Sequence, residues 1–386
     1  MAFRDFKAIF FASGDTLGTE LQNVFDMKVI RTLNAKSNTV EIILNNYAGQ
    51  AVVGGEVIYK PDETIKIYAA EGNVDTTNAA HLLGVFTILN HEIIPDARQI
   101  KLICGDKTYQ MLSKVFIGDE TGTAPTIINT IVQRVNQDGS TSAPITTDMA
   151  TTKSDLSTFS SVDFVSAYKN AYDTISELSQ TDYTGDNKPY MFWFDENDIF
   201  HWQYMATTAE ATVFEHGVNV LKMKIQKKEA ESVAMIIYDA GDDLNDTSYI
   251  DFYVDENAGT IKSRIVYQPM TKIGPEYRQK VKKDNSLADT TSASILTVMT
   301  NSQFQTELKR QADAKARAIV GKVGTGLWQA TLSISGQKYT PSGLYTVKSL
   351  VHGFPATDLR IERVDHTMNK NGWITKLTLA EDPASI

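Results

Sequence analysis

The stretch Leu359–Glu381, LRIERVDHTMNKNGWITKLTLAE, constrains the fold more than any other part of the chain. Polar and apolar residues alternate on both sides of a short polar segment. Leu359, Ile361 and Arg363 fall on one face of a first strand; Trp373, Thr375, Leu377 and Leu379 share a face of a second. Between them, Asn369, Asn371 and Gly372 supply turn material, because Asn and Gly tolerate the backbone angles of a tight reversal. The pattern predicts a β-hairpin that closes a barrel.

The first hundred residues follow the same grammar. Strands are expected at Lys28–Leu33, Thr39–Asn45, Glu56–Lys60, Thr64–Ala69, Leu82–Leu89 and Gln99–Cys104. Turn residues separate them at Asn34 to Asn38, Gly54–Gly55, Pro61–Asp62 and Gly72–Asn73. Ile65 and Ile67 oppose Thr64, Lys66 and Tyr68, and Ile100 and Leu102 oppose Gln99 and Lys101. Short alternating strands at near-regular spacing point to a small antiparallel barrel or sandwich.

The pattern changes near Tyr109. Ile127, Ile128, Ile131, Val132 and Val135 stand at helical spacing within Thr126–Val135. The Ser/Thr-rich stretch Gln137–Ser160 has too few apolar residues to pack and reads as a loop. A second helix is expected over Val162–Ser179, with Val165, Tyr168, Tyr172 and Ile175 on its apolar face and Ser160 with Asp163 as a weak capping box. Tyr190–Tyr204, YMFWFDENDIFHWQY, reads as an aromatic hairpin turning at Asp195–Asp198. Strands resume at Val218–Gln226 and Ser232–Tyr238. Mixed polar sequence follows over Asp239–Asn301, with strand-like Tyr249–Val254 and Ile261–Tyr267. A helix over Ser302–Val320 stops at Gly321, and Leu327–Leu379 returns to short strands.

Composition removes several classes of function. A net charge of −10 argues against gripping nucleic acid through its phosphates, which needs basic patches. The single cysteine, Cys104, rules out an intrachain disulfide and a cysteine-based zinc site; its place in the Ile100, Leu102, Cys104 alternation reads as a small buried hydrophobe. The N-terminus, MAFRDFKAIFFASGD, lacks the apolar run of a signal peptide, and no window approaches the roughly 18 apolar residues of a membrane span. Synthesis in a cytoplasm is expected.

Residue patterns that carry chemistry are few. His81, His91, His201, His216, His352 and His366 show no metal-ligand spacing, and His91–Glu92 begins no HExxH motif. Neither a G-x-S-x-G nor a phosphate-binding glycine loop is present; Gly324–Thr325–Gly326 reads as a connector. Two carboxylate clusters remain: Asp195, Glu196 and Asp198 in the aromatic hairpin, and Asp239, Asp242, Asp243 and Asp246 in a polar segment. A glycosidase would need two such carboxyls across a cleft, one of raised pKa. Calcium at the second cluster would need an alternating ligand pattern that it lacks. Both read as solvated acidic turns. The row Tyr190, Phe192, Phe194, Phe200, Trp202 and Tyr204 fits a core against Val162–Ser179 better than a sugar-binding platform. No catalytic, cofactor-binding or metal-binding residue is assigned, no cofactor is expected, and the chain does not read as an enzyme.

Three segments carry a resemblance: NTVEIILNNYAGQAVVGGEVIYKPDETIKIY with the returning LLGVFTILNHEIIPDARQIKLICGD, the hairpin KPYMFWFDENDIFHW, and SGLYTVKSLVHGFPATDLRIERVDHTMNKNGWITKLTLAE. Together they resemble the baseplate hub proteins of contractile-tailed phages, Mu-like phages among them, and the N-terminal part of type VI secretion spike proteins. The resemblance implies a mainly β chain with α+β insertions: two small antiparallel tube-like barrels and a mixed α/β middle domain. It places the first barrel at 1–108, the middle domain at 109–215 with 239–323, and a second barrel, split in sequence, at 216–238 with 324–386. The loop 137–160 is not a family feature, and no C-terminal spike domain is seen, which puts the spike on a separate chain.

The implied role is structural. A homotrimer would adapt a hexameric tail tube to a trimeric central spike and line a DNA channel without binding DNA specifically. Tail tube, spike, tape-measure and baseplate wedge proteins would be its partners in the virion tail, and membrane insertion is not expected. Three copies would triple the net charge of −10, which suits a conduit that must not hold DNA. The alternatives are a distal tail or adhesin-anchoring protein with one barrel, a tail-associated cell-wall hydrolase using Asp195, Glu196 and Asp198, and a glycan-binding module using Trp193 or Trp202.

Overall fold

A computed structural model describes residues 4–33, 38–47, 49, 51–54, 56–137, 144–149, 161–179, 190–204, 208–227, 232–242, 247–254, 263–269 and 328–381. The fold is mainly β. Its N-terminal part comprises β1 (Arg4–Phe11), β2 (Thr19–Glu20), β3 (Val24–Thr32), β4 (Thr39–Asn45), the short pair β5 (Val52–Val53) and β6 (Glu56–Val57), β7 (Thr64–Glu71), β8 (Leu82–Ile94) and β9 (Gln99–Gly105). The neighbour order β3-β4-β9-β8-β7-β1-β2 is antiparallel throughout. Alternation does the folding here: Val40, Ile42, Ile65, Ile67, Ile100, Leu102 and Cys104 are all fully buried in one core. The strand expected at Glu56–Lys60 stops at Val57, because its ladder partner β5 is only two residues long. β8 runs five residues past the expected Leu89.

The middle part contains α1 (Thr108–Ser113), β10 (Val115–Thr123), α2 (Ala124–Gln137), β11 (Thr146–Met149), β12 (Ser161–Asn170), α3 (Ala171–Ser179), β13 (Tyr190–Phe194) and β14 (Ile199–Tyr204). The expected helix α2 buries Ile127, Ile128, Ile131, Val132 and Val135. The helix expected over Val162–Ser179 is half strand. Residues 161–170 pair with β10, and the helix begins only at Ala171. The capping box sits at Asn170 and Asp173 instead of Ser160 and Asp163: Asn170 Oδ1 accepts the Asp173 N–H at 2.7 Å, and Asn170 Nδ2 donates back to Asp173 Oδ2 at 2.8 Å. Within the expected loop 137–160, Thr146–Met149 adds a parallel edge strand to β14; 138–143 and 150–160 lie outside the described residues.

The rest of the chain gives β15 (Glu210–Glu215), β16 (Lys222–Lys227), β17 (Ser232–Asp242), β18 (Thr247–Val254), β19 (Ser263–Pro269), β20 (Trp328–Ser335), β21 (Leu344–Ser349), β22 (Phe354–Asn369) and β23 (Gly372–Glu381). Ser232–Tyr238, read from sequence as part of the second barrel, lies within β17, which pairs with β18 and β19 in a separate three-stranded sheet. The helix expected at Ser302–Val320 and the connector Gly324–Gly326 lie outside the described residues. The neighbour order β16-β20-β23-β22-β21 encloses a second core of Leu332, Ile334, Val347, Leu359, Ile361, Leu377 and Leu379.

The terminal hairpin does more than seal one unit. β22 pairs with β21 through its first half and with β3 through its second, so both β units share one 13-stranded sheet. Among the described residues this path is open, and neither unit closes on itself through backbone hydrogen bonds. A bulge between Ile361 and Arg363 shifts the alternation: Leu359 and Ile361 point into the core, Arg363 does not, and Val364, His366 and Met368 take over. Met368 and Trp373, at the hairpin's far end, pack into the N-terminal core. Gly372 closes the turn at a φ of 109°, which disfavours any side chain.

Trp373 lies flat against Gly336, where a Cβ would overlap the indole ring. Gly336→Ala is therefore expected to lower stability by about 1–3 kcal/mol, the usual cost of overpacking. A urea unfolding midpoint unchanged by the substitution would contradict this packing.

Candidate functional site

The turn Asp195–Asp198 is the point where three parts of the molecule meet. Its hairpin brings it against Arg31 of β3, Lys107 just after β9, and Lys338 in the β20–β21 connection. Arg31, 3% exposed, donates to Phe194 O at 2.6 Å and to Leu83 O at 3.3 Å, and its guanidinium stands 4.0 Å from Glu196. Glu196 is held from the other side by Lys338 at 2.8 Å. Asp198 accepts the Lys107 N–H at 3.2 Å and lies 3.5 Å from its Nζ. Asp195 caps its own turn, accepting N–H groups of Asn197 at 2.8 Å and Ile199 at 2.9 Å. The reading of this cluster as solvated acids is corrected: Asp198 is only 4% exposed, and Asp195 and Glu196 are largely covered.

Burial shapes the charges at this junction. It opposes the Arg31 charge, which Glu196, Asp106, Asp195 and Asp198 support. Burial pushes Asp198 up to about 7 despite the pull of Lys107, and raises Asp106 against hydrogen bonds from Thr108 and Asn38. Burial also acts upward on Asp195 and Glu196. Hydrogen bonds from His201, Ile199 and Asn197 outweigh it at Asp195, as do Lys338 and Arg31 at Glu196, so both end below the usual carboxylate range.

The two pairs act oppositely on stability. The unfolded chain releases the Asp198 proton near pH 4, whereas the folded chain keeps it to about 7, so this group's contribution falls as pH rises across that window and is flat above it. Asp195 and Glu196 contribute stability that is present above about pH 4 and lost as acid protonates them. Asp198→Asn, which suits the left-handed φ of 62°, is expected to flatten the decline in unfolding free energy between pH 5 and 8. The part removed is up to ~1.4 kcal/mol per pH unit; an unaltered slope in urea titrations at the two pH values would contradict the assignment.

The aromatic hairpin has two different faces. Phe192, Phe194, Phe200 and Trp202 are buried against α2 and α3, as core, and Trp202 Nε1 donates to Ser179 Oγ at 2.8 Å. On the opposite face Trp193 stacks on His201 at 5.2 Å. The His201 ring lies between Asp195 and Asp148, each 3.1 Å away. Cys104 is fully buried, and burial pushes its thiol up to about 12. His366 and Trp373 are also buried, with Trp373 Nε1 donating to His366 Nδ1 at 3.2 Å; burial drives the imidazole down to about 3 and keeps it neutral. Asp239 and Asp242 lie on strand β17 instead of a loop, and Asp243 and Asp246 lie outside the described residues.

Outside these cores the chain presents large apolar side chains to solvent. Turns at 216–221 and 350–352 lie side by side, with His216 and His352 rings 5.3 Å apart. Val218, Leu221, Leu350 and Val351 in these turns are all more than half exposed. In the N-terminal unit Leu17, Tyr47 and Val53 are equally open. Exposed apolar residues scattered singly are ordinary, whereas the four in the adjoining turns stand close together.

A mainly β chain with two related sheet units and an α/β part pinned between them has the fold of prophage tail proteins. The 43 kDa tail protein of prophage MuSo2 from Shewanella oneidensis matches 98% of this chain and 99% of its own, at 12% identity and a TM-score of 0.63. A tail protein from Neisseria meningitidis MC58 covers 98% and 97%, at 9% identity and a TM-score of 0.61. A chain of the half-lidded Francisella PdpA–VgrG complex matches 99% of this chain over 58% of its own, at 10% identity and a TM-score of 0.52. No family model matches, and no curated protein does. The expected mainly β fold with α/β insertions is met, and the likeness to these proteins is one of fold.

Proposed function

We propose that this chain is a structural protein of a phage tail, the baseplate hub that joins a hexameric tail tube to a trimeric central spike. The observation that carries the reading is a repeat within the chain. The orders β3-β4-β9-β8-β7 and β16-β20-β23-β22-β21 are the same antiparallel topology, each with its first two strands adjacent and its last three returning in reverse. A homotrimer of such chains presents six similar units to a hexameric tube and threefold symmetry to a spike. The end-to-end likeness to two prophage tail proteins supports this, and the likeness to the PdpA–VgrG complex supports a place beside a spike.

On this reading the N-terminal unit, the middle part and the C-terminal unit are the two tube-like modules and the domain between them. DNA passes through the ring without specific binding, past acidic groups that face the lumen. Tape-measure and wedge proteins contact the outside, and the exposed turns at 216–221 and 350–352 offer apolar contact to a tail partner. The protein resides in the virion tail after synthesis in the host cytoplasm and works without catalysis. Mass measurement in solution tests it: the chain is expected as a trimer, alone or with a candidate spike. A monomer under both conditions would remove the hub reading. A single-ring distal tail or adhesin-anchoring role would then take its place.

A further inference from the structure

The two five-strand units agree in register as well as order. In the first, Val29 pairs with Val40 and Val40 with Cys104; in the second, Ile225 pairs with Ala330 and Ala330 with Leu379. One step along, Met27–Ile42–Leu102 corresponds to Met223–Leu332–Leu377. The fourth strands even share their bulge: Ile88/Asn90 against Cys104 and Ile103 corresponds to Ile361/Arg363 against Leu379 and Thr378. Beyond the bulge, His91 opposite Leu102 is therefore the counterpart of Val364 opposite Leu377.

One contact lacks its twin. Past its bulge, β22 pairs outward with β3, setting Val364 opposite Arg31, Asp365 opposite Ile30 and His366 opposite Val29. The counterparts are the end of β8, Asn90–Ile94, and strand β16. Among the described residues neither has a strand on that side: β16 is the end of its sheet, and β8 leaves β7 at Thr87. Only the Asn90 side chain holds the His91 N–H there. Exposure follows the missing neighbour. Met27 and Val29 are fully buried, whereas Met223 and Ile225 are half-buried with lysines around them; Ile93 is 56% exposed where its counterpart His366 is 1%.

We propose that β16 of one copy adds antiparallel to the end of β8 of the next, repeating between chains the β22–β3 contact made within each chain. The register carries over: Ile93 faces Ile225, Glu92 faces Gln226, His91 faces Lys227 and Ile94 faces Lys224. This sets one exposed isoleucine on another half-buried one and puts Glu92 diagonal to Lys224, a favourable cross-strand neighbour. Lys222, Lys224 and Lys227 discourage indiscriminate pairing of the open edge, and Pro95, without an N–H, ends the ladder. The contact is heterologous, so it closes a ring when its rotation matches the internal one. The second copy is thus the occupant of both edges. This rests on the self-association proposed above and names the strands that make it.

The test is a cysteine pair. Residues directly opposite in an antiparallel ladder lie about 4.5–5.5 Å apart at Cα, within disulfide reach. Glu92→Cys with Gln226→Cys, both on the surface, is expected to link chains under mild oxidation and shift the non-reducing gel from single-chain to two- and three-chain bands. Cys104 is buried and does not compete. Glu92→Cys with Lys222→Cys, out of register by four residues or about 13 Å, is expected to stay single-chain. Ile225→Pro on the edge is expected to lower the solution mass to that of one chain. An oligomer that forms normally but links neither pair, or links the out-of-register pair equally well, overturns this interface and leaves the hub reading standing. A parent chain that never oligomerises overturns both.

Discussion

Arg31→Met is expected to destabilise the protein by about 3–5 kcal/mol, the cost of removing one partner from a buried charge cluster. The substitution leaves Phe194 O and Leu83 O without their guanidinium donor and strips Asp106 and Glu196 of a buried countercharge. Arg31→Lys is not expected to rescue, because one ammonium on a different stem cannot serve both carbonyls and the carboxylates as a planar fork does. The loss depends on pH in a definite direction. Below about pH 7 Asp198 is neutral, so less negative charge is stranded and the penalty shrinks; above it the penalty is full. Lys338→Met, at a partly exposed pair, is expected to cost roughly 1 kcal/mol. Urea unfolding at pH 5 and pH 8 measures the first three, and hydrogen exchange at Asn197 and Ile199 shows whether the hairpin tip detaches first. An Arg31→Met protein with an unchanged midpoint would mean that the junction holds nothing together.

Trp202→Ala is expected to cost a further ~3–5 kcal/mol, the range for emptying a large buried aromatic site. The indole is fully buried among α2, α3 and β13, and its N–H is spent on Ser179. Deleting it leaves a cavity and a hydroxyl without its donor. Trp193→Ala, on the other face of the same strand pair, removes only a stack on His201 and is expected to cost about 1 kcal/mol. The contrast separates packing from recognition. A stable Trp202→Ala protein that lost binding to a glycan would contradict the core assignment and revive the sugar-binding reading.

Much of this architecture is legible in the sequence where burial is local. Val40, Ile42, Ile100, Leu102, Leu377 and Leu379 announce their strands by strict alternation, because each strand faces a core on one side only. The aromatic hairpin announces its core face in the same way. What escapes reading depends on distant partners. β10 and β12 contain Gly118, Gly122 and Ser161 and take strand form by pairing with each other. Val162 to Asn170 carry spacings compatible with a helix, and a partner strand decides otherwise. Asp195–Asp198 looks like any polar turn, since nothing nearby reveals that Arg31, more than 160 residues earlier, will cover it. The repeat is hidden for a related reason. Val40, Ile42 and Leu44 correspond to Ala330, Leu332 and Ile334, with pattern kept and identity lost, and a hundred intervening residues separate β16 from β20.

Two features tie the three parts of the molecule together. β22 runs through both sheet units, bulged between Ile361 and Arg363, and the acidic turn ties the middle part to both at once.

End-on imaging of the purified assembly, averaged without imposed symmetry, distinguishes the possible arrangements of these units. A ring of six similar lobes built from three chains is expected, with the signal falling to threefold at the level of the middle part. A ring with one lobe per chain, or six lobes from six chains, would contradict it.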